Sequence, residues 1–234
     1  MKRRIDTLVV TPMDKEHDAF MRCLSGRLSW SLLDGVLVST SGVGKVNAAI
    51  CVSSMVELAR PDIKCVISVG CAGALSPKLK IGDIVVCSES AYWDVDCGSD
   101  CRKGQVQGLP LVFPADRGLS AKIAKSIRDS LKGIGFYRGK MLTGDRFFEE
   151  PGSEKWLHSE YPSFLTVDME TAAIAQSCFR LNIPYASVRV VSDTYDGDRG
   201  AEYSAFWRSV SKGGFGFAKP LMEAVAFWRK GLKA

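Results

Sequence analysis

The feature that most constrains the fold is an alternation in which short runs rich in Val and Ile are separated by longer stretches of helical periodicity. The runs are "DTLVVTP", "GVLVSTSG", "CVISVG", "DIVVCSESAYW", "YRGKMLTG", "FLTVDM" and "YASVRVVSD". Between them the pattern predicts helices over Lys15–Cys23, Lys45–Ala59, Leu119–Leu131, Glu154–Glu160, Glu170–Leu181 and Ala201–Leu232, the last broken at "KGGFGF" and Pro220. Strands alternating with helices predict an α/β fold with a largely parallel or mixed sheet, since each strand buries its faces under the intervening helices. The 234 residues contain no repeat and no linker, so residues 1–234 are expected to form one domain.

Composition narrows the functional classes. Hydrophobic residues make up 46% and charged residues 24%, an ordinary globular balance rather than that of a disordered chain. The net charge of +5 is spread along the chain, with its densest cluster only at Lys2-Arg3-Arg4, so no nucleic-acid partner is expected. That basic start precedes "IDTLVV", which is too short for a signal-peptide core and reads as the first strand. No apolar run nears the roughly 20 residues that span a bilayer, so no membrane association and a cytoplasmic location are expected.

Most of the 8 cysteines lie in apolar segments, where a free Cys packs as a small hydrophobe in a reducing compartment. Cys97 and Cys101, in the polar "CGSDC", stand apart. With no second pair at ligand spacing and only 2 histidines, a zinc site is not expected; free thiols are.

In α/β sheets, ligands collect at the carboxyl ends of strands, where helix N-termini converge. Here those ends read "TPMDKE", "SGVGK", "SVGCAGA", "TGDRFF", "VDME" and "VSDTYDGD", rich in small residues, glycines and carboxylates. "SGVGKVNAA" fails as a dinucleotide fingerprint, because Asn47 stands at the third glycine position, and it is not a P-loop. Serine hydrolysis fails too, for want of G-x-S-x-G. What remains is a set of acids at or just after strand ends: Glu16, Asp168, Glu170 and Asp193. Such carboxylates can activate water, hold sugar hydroxyls and protonate a leaving group, the needs of glycosidic-bond cleavage. Singly, each has a structural explanation: Asp168 as a helix cap, Glu170 at a helix dipole, Glu16 as a solvated helix residue.

The order "SGVGKVNAA", "SVGCAGAL" with "GDIVV", "TGDRFF", "VDMETAAIA" and "VRVVSD", covering nearly the whole chain, resembles the nucleoside phosphorylase/nucleosidase superfamily. Within it the likeness is to 5′-methylthioadenosine/S-adenosylhomocysteine nucleosidases. The resemblance implies a single-domain α/β/α fold, with a central mixed sheet wrapped by helices, usually homodimeric and needing no cofactor.

Roles carry over by position. Glu16 matches the water-activating glutamate, and Asp193 the acid that engages purine N7 and the exocyclic amine, oriented by Ser192. Met169 and Glu170 match residues that embrace the ribose, with Arg189 supporting the ribose and water end. Phe147 matches a residue that stacks on the base, and the Phe148 backbone one that reads its edge. Cys71, Ala72 and Gly73 would line the pocket, with Cys71 where the family commonly has Ser. Met13, Tyr203 and Phe206 would supply apolar walls. Asp168 stands where relatives commonly carry Glu and is expected to support or cap.

Mechanistically, a neutral Asp193 would share its proton with N7 as the C1′ bond stretches, which requires a raised pKa. Glu16 would take a proton from the attacking water. Phosphate as co-substrate needs arginines or a nest of donors; superfamily phosphorylases carry an Arg where Ser68 stands and another in the first loop, where this chain has "MDKE". Water is therefore the expected nucleophile. The expected reaction is release of adenine from 5′-modified adenosines such as methylthioadenosine, S-adenosylhomocysteine or 5′-deoxyadenosine. A purine nucleoside phosphorylase and a non-catalytic nucleoside-binding protein are the alternatives. After "AYWDVD" the relatives continue with an apolar segment that a neighbouring subunit lends to the 5′ pocket. Here "CGSDCRKGQVQ" brings Asp100 and Arg102, which leaves the preferred 5′ substituent open, a futalosine-type compound included.

Overall fold

A computed structural model describes residues 4–24, 33–59, 62–149, 152–153 and 155–232. Lys2, Arg3 and Glu154, named in the sequence reading, lie outside the described residues. The elements run β1 Thr7–Thr11, α1 Asp14–Arg22, β2 Val36–Thr40, α2 Lys45–Ala59, β3 Cys65–Ala74, β4 Ile84–Tyr92 and β5 Phe113–Pro114. They continue α3 Arg117–Ser130, β6 Phe136–Thr143, α4 Lys155–Glu160, β7 Phe164–Asp168, α5 Thr171–Leu181, β8 Tyr185–Asp193, α6 Arg199–Gly213 and α7 Ala218–Gly231. The α/β fold with a mixed sheet is the one expected.

The strands join in one 8-stranded sheet ordered β2-β1-β3-β7-β6-β4-β5, with β8 bridging β3 and β4. The sheet thereby closes on itself through β3, β8, β4, β6 and β7. The length of β3 makes this possible: it pairs parallel with β1 and β8, and its last residues, Gly73 and Ala74, pair antiparallel with Val167 and Thr166 of β7. The carboxyl ends of β3, β7 and β8 are thus drawn together.

Two-residue periodicity decides what each strand buries. In β1, Leu8 and Val10 face the layer built on α2 and α5, while Val9 faces the layer built on α1, α3 and α7. In β8, Ala186, Val188 and Val190 pack into the second layer, which puts Ser187 and Arg189 on the opposite face.

Local chemistry explains where the structure differs from expectation. The N-cap Asp116 accepts the Leu119 N–H at 2.7 Å and starts α3 earlier than predicted. Asp198 likewise accepts from Ala201 N–H at 3.0 Å and starts α6 at Arg199. The long C-terminal helix divides after Gly213, where Gly214 takes φ 71°. Pro220 is not a breaker: it lies in the first turn of α7, where the N–H it lacks has no intrahelical acceptor. The two-residue β5, paired with Glu89 and Ser90, has no pattern long enough to predict.

Candidate active site

The converging strand ends and the first turns of α1 and α6 enclose a cavity of about 500 Å³. Its wall includes Met13 and Glu16 from the start of α1, Cys71, Ala72 and Gly73 from β3, and Phe147 and Phe148 after β6. Met169 and Glu170 come from the β7–α5 link, Ser192 and Asp193 from β8, and Tyr203 from α6. Arg189, expected at the ribose and water end, is absent from this lining and lies behind it. Phe206, expected as an apolar wall, is 5% exposed and packs in the core instead of lining this cavity.

Glu16 is not solvated; it is 1% exposed. Its Oε2 accepts the Met13 N–H at 3.0 Å, and its Oε1 accepts the Cys71 N–H at 2.8 Å. Burial pushes its pKa up, against the pull of the Cys71 N–H and the Arg189 charge. A carboxylate so held, with a raised pKa, is suited to accept a proton from water. The Cys71 backbone makes this bond, so the Ser-to-Cys departure does not touch it, and the thiol also faces the carboxylate. Burial, followed by the Glu16 charge, raises the Cys71 thiol well above its usual range and keeps it neutral.

Glu170 is 4% exposed, and its Oε1 accepts the Gly44 N–H at 2.8 Å. Gly44 holds φ 97°, a conformation that favours glycine, so the glycine-rich turn before α2 serves to present an N–H to this acid. Burial, then the neighbouring Asp168 charge, pushes Glu170 up to about 8.

Asp168, part of the cavity wall, is a hydrogen-bond hub. Its Oδ1 accepts from Thr143 Oγ1 at 2.7 Å and from the N–H groups of Thr171 and Glu170 at 3.1 and 3.2 Å; its Oδ2 takes the Thr171 hydroxyl and Arg189 Nε, the latter at 2.8 Å. Arg189 also reaches Ser68 Oγ at 2.9 Å. Through Asp168, Arg189 fixes the backbone that carries Glu170.

Asp193 is 2% exposed, and its Oδ2 accepts from Ser192 Oγ at 2.7 Å. Burial raises its pKa, opposed first by the charge of Arg199. Sequence reading missed Arg199. Its Nη1 lies 2.5 Å from Asp193 Oδ1, and Nη2 donates to the Ala74 carbonyl at 2.6 Å. The available signal was its place as the first residue of α6, where a cation opposes the helix dipole and needs another reason to be there.

Phe147 is 45% exposed at the cavity rim and meets Tyr203 edge-on, with ring centroids 5.3 Å apart. Phe148 is buried against Trp93. Tyr203 reaches Met13 Sδ, closing an apolar flank. Asp100 and Arg102 are exposed and do not line this chain's cavity, and Cys97 and Cys101 are free thiols. No helix among the described residues is long and apolar enough to cross a membrane.

Residues 8–214 match the family model of the phosphorylase superfamily. The chain is 37% identical over 178 residues to a 5′-methylthioadenosine/S-adenosylhomocysteine nucleosidase of Haemophilus influenzae, covering 76% of each. It is 36% identical over 183 residues to the nucleosidase of that name in Geobacillus kaustophilus, covering 77% of each. Among solved structures, the Neisseria meningitidis 5′-methylthioadenosine/S-adenosylhomocysteine nucleosidase in complex with methylthio-immucillin-A superposes with a TM-score of 0.81. That match has 29% identity and covers 94% of this chain and 98% of that one. The cavity at the converging strand ends therefore belongs to a member of the phosphorylase superfamily, in the family of the 5′-methylthioadenosine/S-adenosylhomocysteine nucleosidases.

Proposed function

We propose that the protein is an N-glycosyl hydrolase that releases adenine from 5′-modified adenosines, with water as the nucleophile. The observation that carries this is the pairing in one cavity of Glu16, held by two backbone N–H groups, with Asp193, a buried acid of raised pKa. Neutral Asp193 gives its proton to purine N7 while the C1′–N9 bond stretches. Glu16 accepts the proton of the water that adds to C1′. Glu170 and Met169 hold the ribose, and Glu170 steadies the positive charge that grows on it. Phe147 covers the base. The arginines among the described lining residues are Arg146 and Arg199, and Arg199 is engaged by Asp193. A buried carboxylate at Glu16 repels phosphate, which favours water.

The test is incubation with a panel of 5′-modified adenosines in phosphate-free buffer while free adenine is followed. Adenine should appear without phosphate. Release that required added phosphate would make the protein a phosphorylase, and tight nucleoside binding without release would make it a binding protein.

The same reading takes the chain to act as a homodimer in a reducing compartment such as the cytoplasm, where its free thiols persist. Val46, Ile50 and Leu58 share one face of α2 and are 69%, 59% and 79% exposed. Phe179 of α5, 50% exposed, extends the apolar surface, and Val43, at the turn before α2, carries it to the cavity rim. A second copy covering this face would bury it.

A further inference from the structure

The guanidinium of Arg199 has a seat built from three elements. Its Nη1 lies 2.5 Å from Asp193 Oδ1 at the end of β8, and its Nη2 donates to the Ala74 carbonyl of β3 at 2.6 Å, while its own backbone opens α6. The side chains of the pair are only 2% and 3% exposed, and both residues line the cavity. Gly73 makes the room, since a Cβ there would stand 2.2 Å from Nη1 and 2.7 Å from Asp193 Oδ1. Ser192 holds the other carboxylate oxygen. A cation is therefore fixed beside the acid on which the leaving base depends.

A purine presents N7 and its C6 substituent to whatever faces it. An amine at C6 donates and asks for an acceptor; a carbonyl at C6 accepts and asks for a donor. Asp193 alone suits the amine, giving a proton from one oxygen and accepting with the other. Arg199, which carries N–H donors and no acceptor, sets its Nη1 against one of those oxygens. It also places positive charge where the negative charge of a departing 6-oxopurine collects, on O6 and N7.

We propose that Arg199 is a leaving-group specificity determinant that admits 5′-modified 6-oxopurine nucleosides, which release hypoxanthine, alongside the 6-amino ones. The proposal rests on the nucleosidase reading above. In the step it implies, the C1′–N9 bond breaks with its electron pair passing to the base, the water oxygen bonds to C1′, and Glu16 takes the water's proton. As in the adenosine reaction, Asp193 gives its proton to N7, while Arg199, which keeps its own proton, donates to O6 and holds the charge that develops there; Glu16 passes the water's proton to solvent and Asp193 regains one. No further reactant enters.

The test compares methylthioadenosine with methylthioinosine in phosphate-free buffer, for the wild type, R199Q and R199K. The wild type should release both adenine and hypoxanthine. R199Q should lower kcat/KM for the inosine more than for the adenosine, by about 10–100-fold, the range set by one hydrogen bond to a charged group. R199K should recover part of that difference, keeping the charge without the planar fork. Equal loss on both substrates would overturn the proposal, because a structural role of the ion pair predicts that result. So would adenine release by a wild type that never releases hypoxanthine, an outcome that leaves the nucleosidase reading standing. Release of neither base would remove both. Should the variants not fold, competition on the wild type decides: free hypoxanthine and adenine should inhibit within about tenfold of each other if one charged hydrogen bond balances the lost amine contact, whereas inhibition by adenine alone overturns the proposal.

Discussion

Asp168 in the cavity wall and Arg189 behind it form a buried ion pair, with 2.8 Å between Oδ2 and Nε and side chains 3% and 0% exposed. Removing one partner strands the other as a buried charge, at a cost of about 3–5 kcal/mol. Asp168→Asn should therefore lower Tm strongly. Glu170→Gln should raise or preserve Tm, because it discharges a buried carboxyl that has no cation of its own at hydrogen-bond distance among the described residues, while keeping an oxygen for the Gly44 N–H. Its kcat/KM should nonetheless fall by about 10–100-fold through the weakened hydrogen bonds to the ribose hydroxyls. Scanning calorimetry beside steady-state kinetics separates the two. Equal thermal shifts in the two variants would undo this division between a structural and a functional acid.

Stability should also depend on pH through Glu170. Its pKa is raised from 4.5 to about 8 in the folded chain, so between those values the folded state binds the proton that the unfolded state has lost. The stabilisation is complete below about 4.5 and drains away as pH rises through about 8. Glu16 and Asp193, also raised, act in the same direction. Denaturant titrations of the wild type and E170Q at pH 5 to 9 isolate the Glu170 share. The difference between them should grow with pH in favour of the variant, and a flat difference would show that burial does not hold Glu170 up.

The fold was legible because strands and helices carry their periodicity locally; "CVISVG" and "YASVRVVSD" needed no tertiary knowledge to be read as strands. Sequence motifs also pointed to Glu16, Glu170 and Asp193, which the fold gathers in one cavity. What escaped is what depends on chain return. Arg199 meets Asp193 only because residues 194–198 fold back, and no spacing rule encodes that. Arg189 carries a motif but gives no sign of its facing; only its register in β8, opposite Ala186, Val188 and Val190, turns it toward Asp168 and away from the cavity. The closure of the sheet through β8 was equally invisible, since pairing partners are not written in either strand.

The proposed acid and base predict a bell-shaped dependence of kcat/KM on pH. Glu16 must be ionised, so the rate rises through a pKa that burial has moved above the usual carboxylate range. Asp193 must be protonated, so the rate falls once pH passes its own raised pKa. Glu16→Gln and Asp193→Asn should each lower kcat by about 10²–10⁴ while the chain stays folded. The first should lose the acidic limb of the profile and the second the alkaline limb. Near-normal turnover in both purified variants would remove the mechanism.

The apolar face of α2 gives the last prediction. Val46, Ile50 and Leu58 recur at a spacing that stacks them along one side of the helix, and all three are more than half exposed, an arrangement a stable surface does not keep without cover. If a second copy supplies that cover, charge on the stripe opposes association: Ile50→Glu with Leu58→Lys should convert a dimer to a monomer in analytical ultracentrifugation, with the far-UV spectrum unchanged. Val43 ties the stripe to the cavity rim, so the monomer should also lose 5′-pocket contacts. KM for a long 5′ substituent, such as that of S-adenosylhomocysteine, should then rise by at least about tenfold, the worth of roughly 1.4 kcal/mol of lost contact, and more than KM for 5′-deoxyadenosine. A wild type that sediments as a monomer would leave the stripe without this partner, and a dimer unmoved by both charges would place the interface elsewhere.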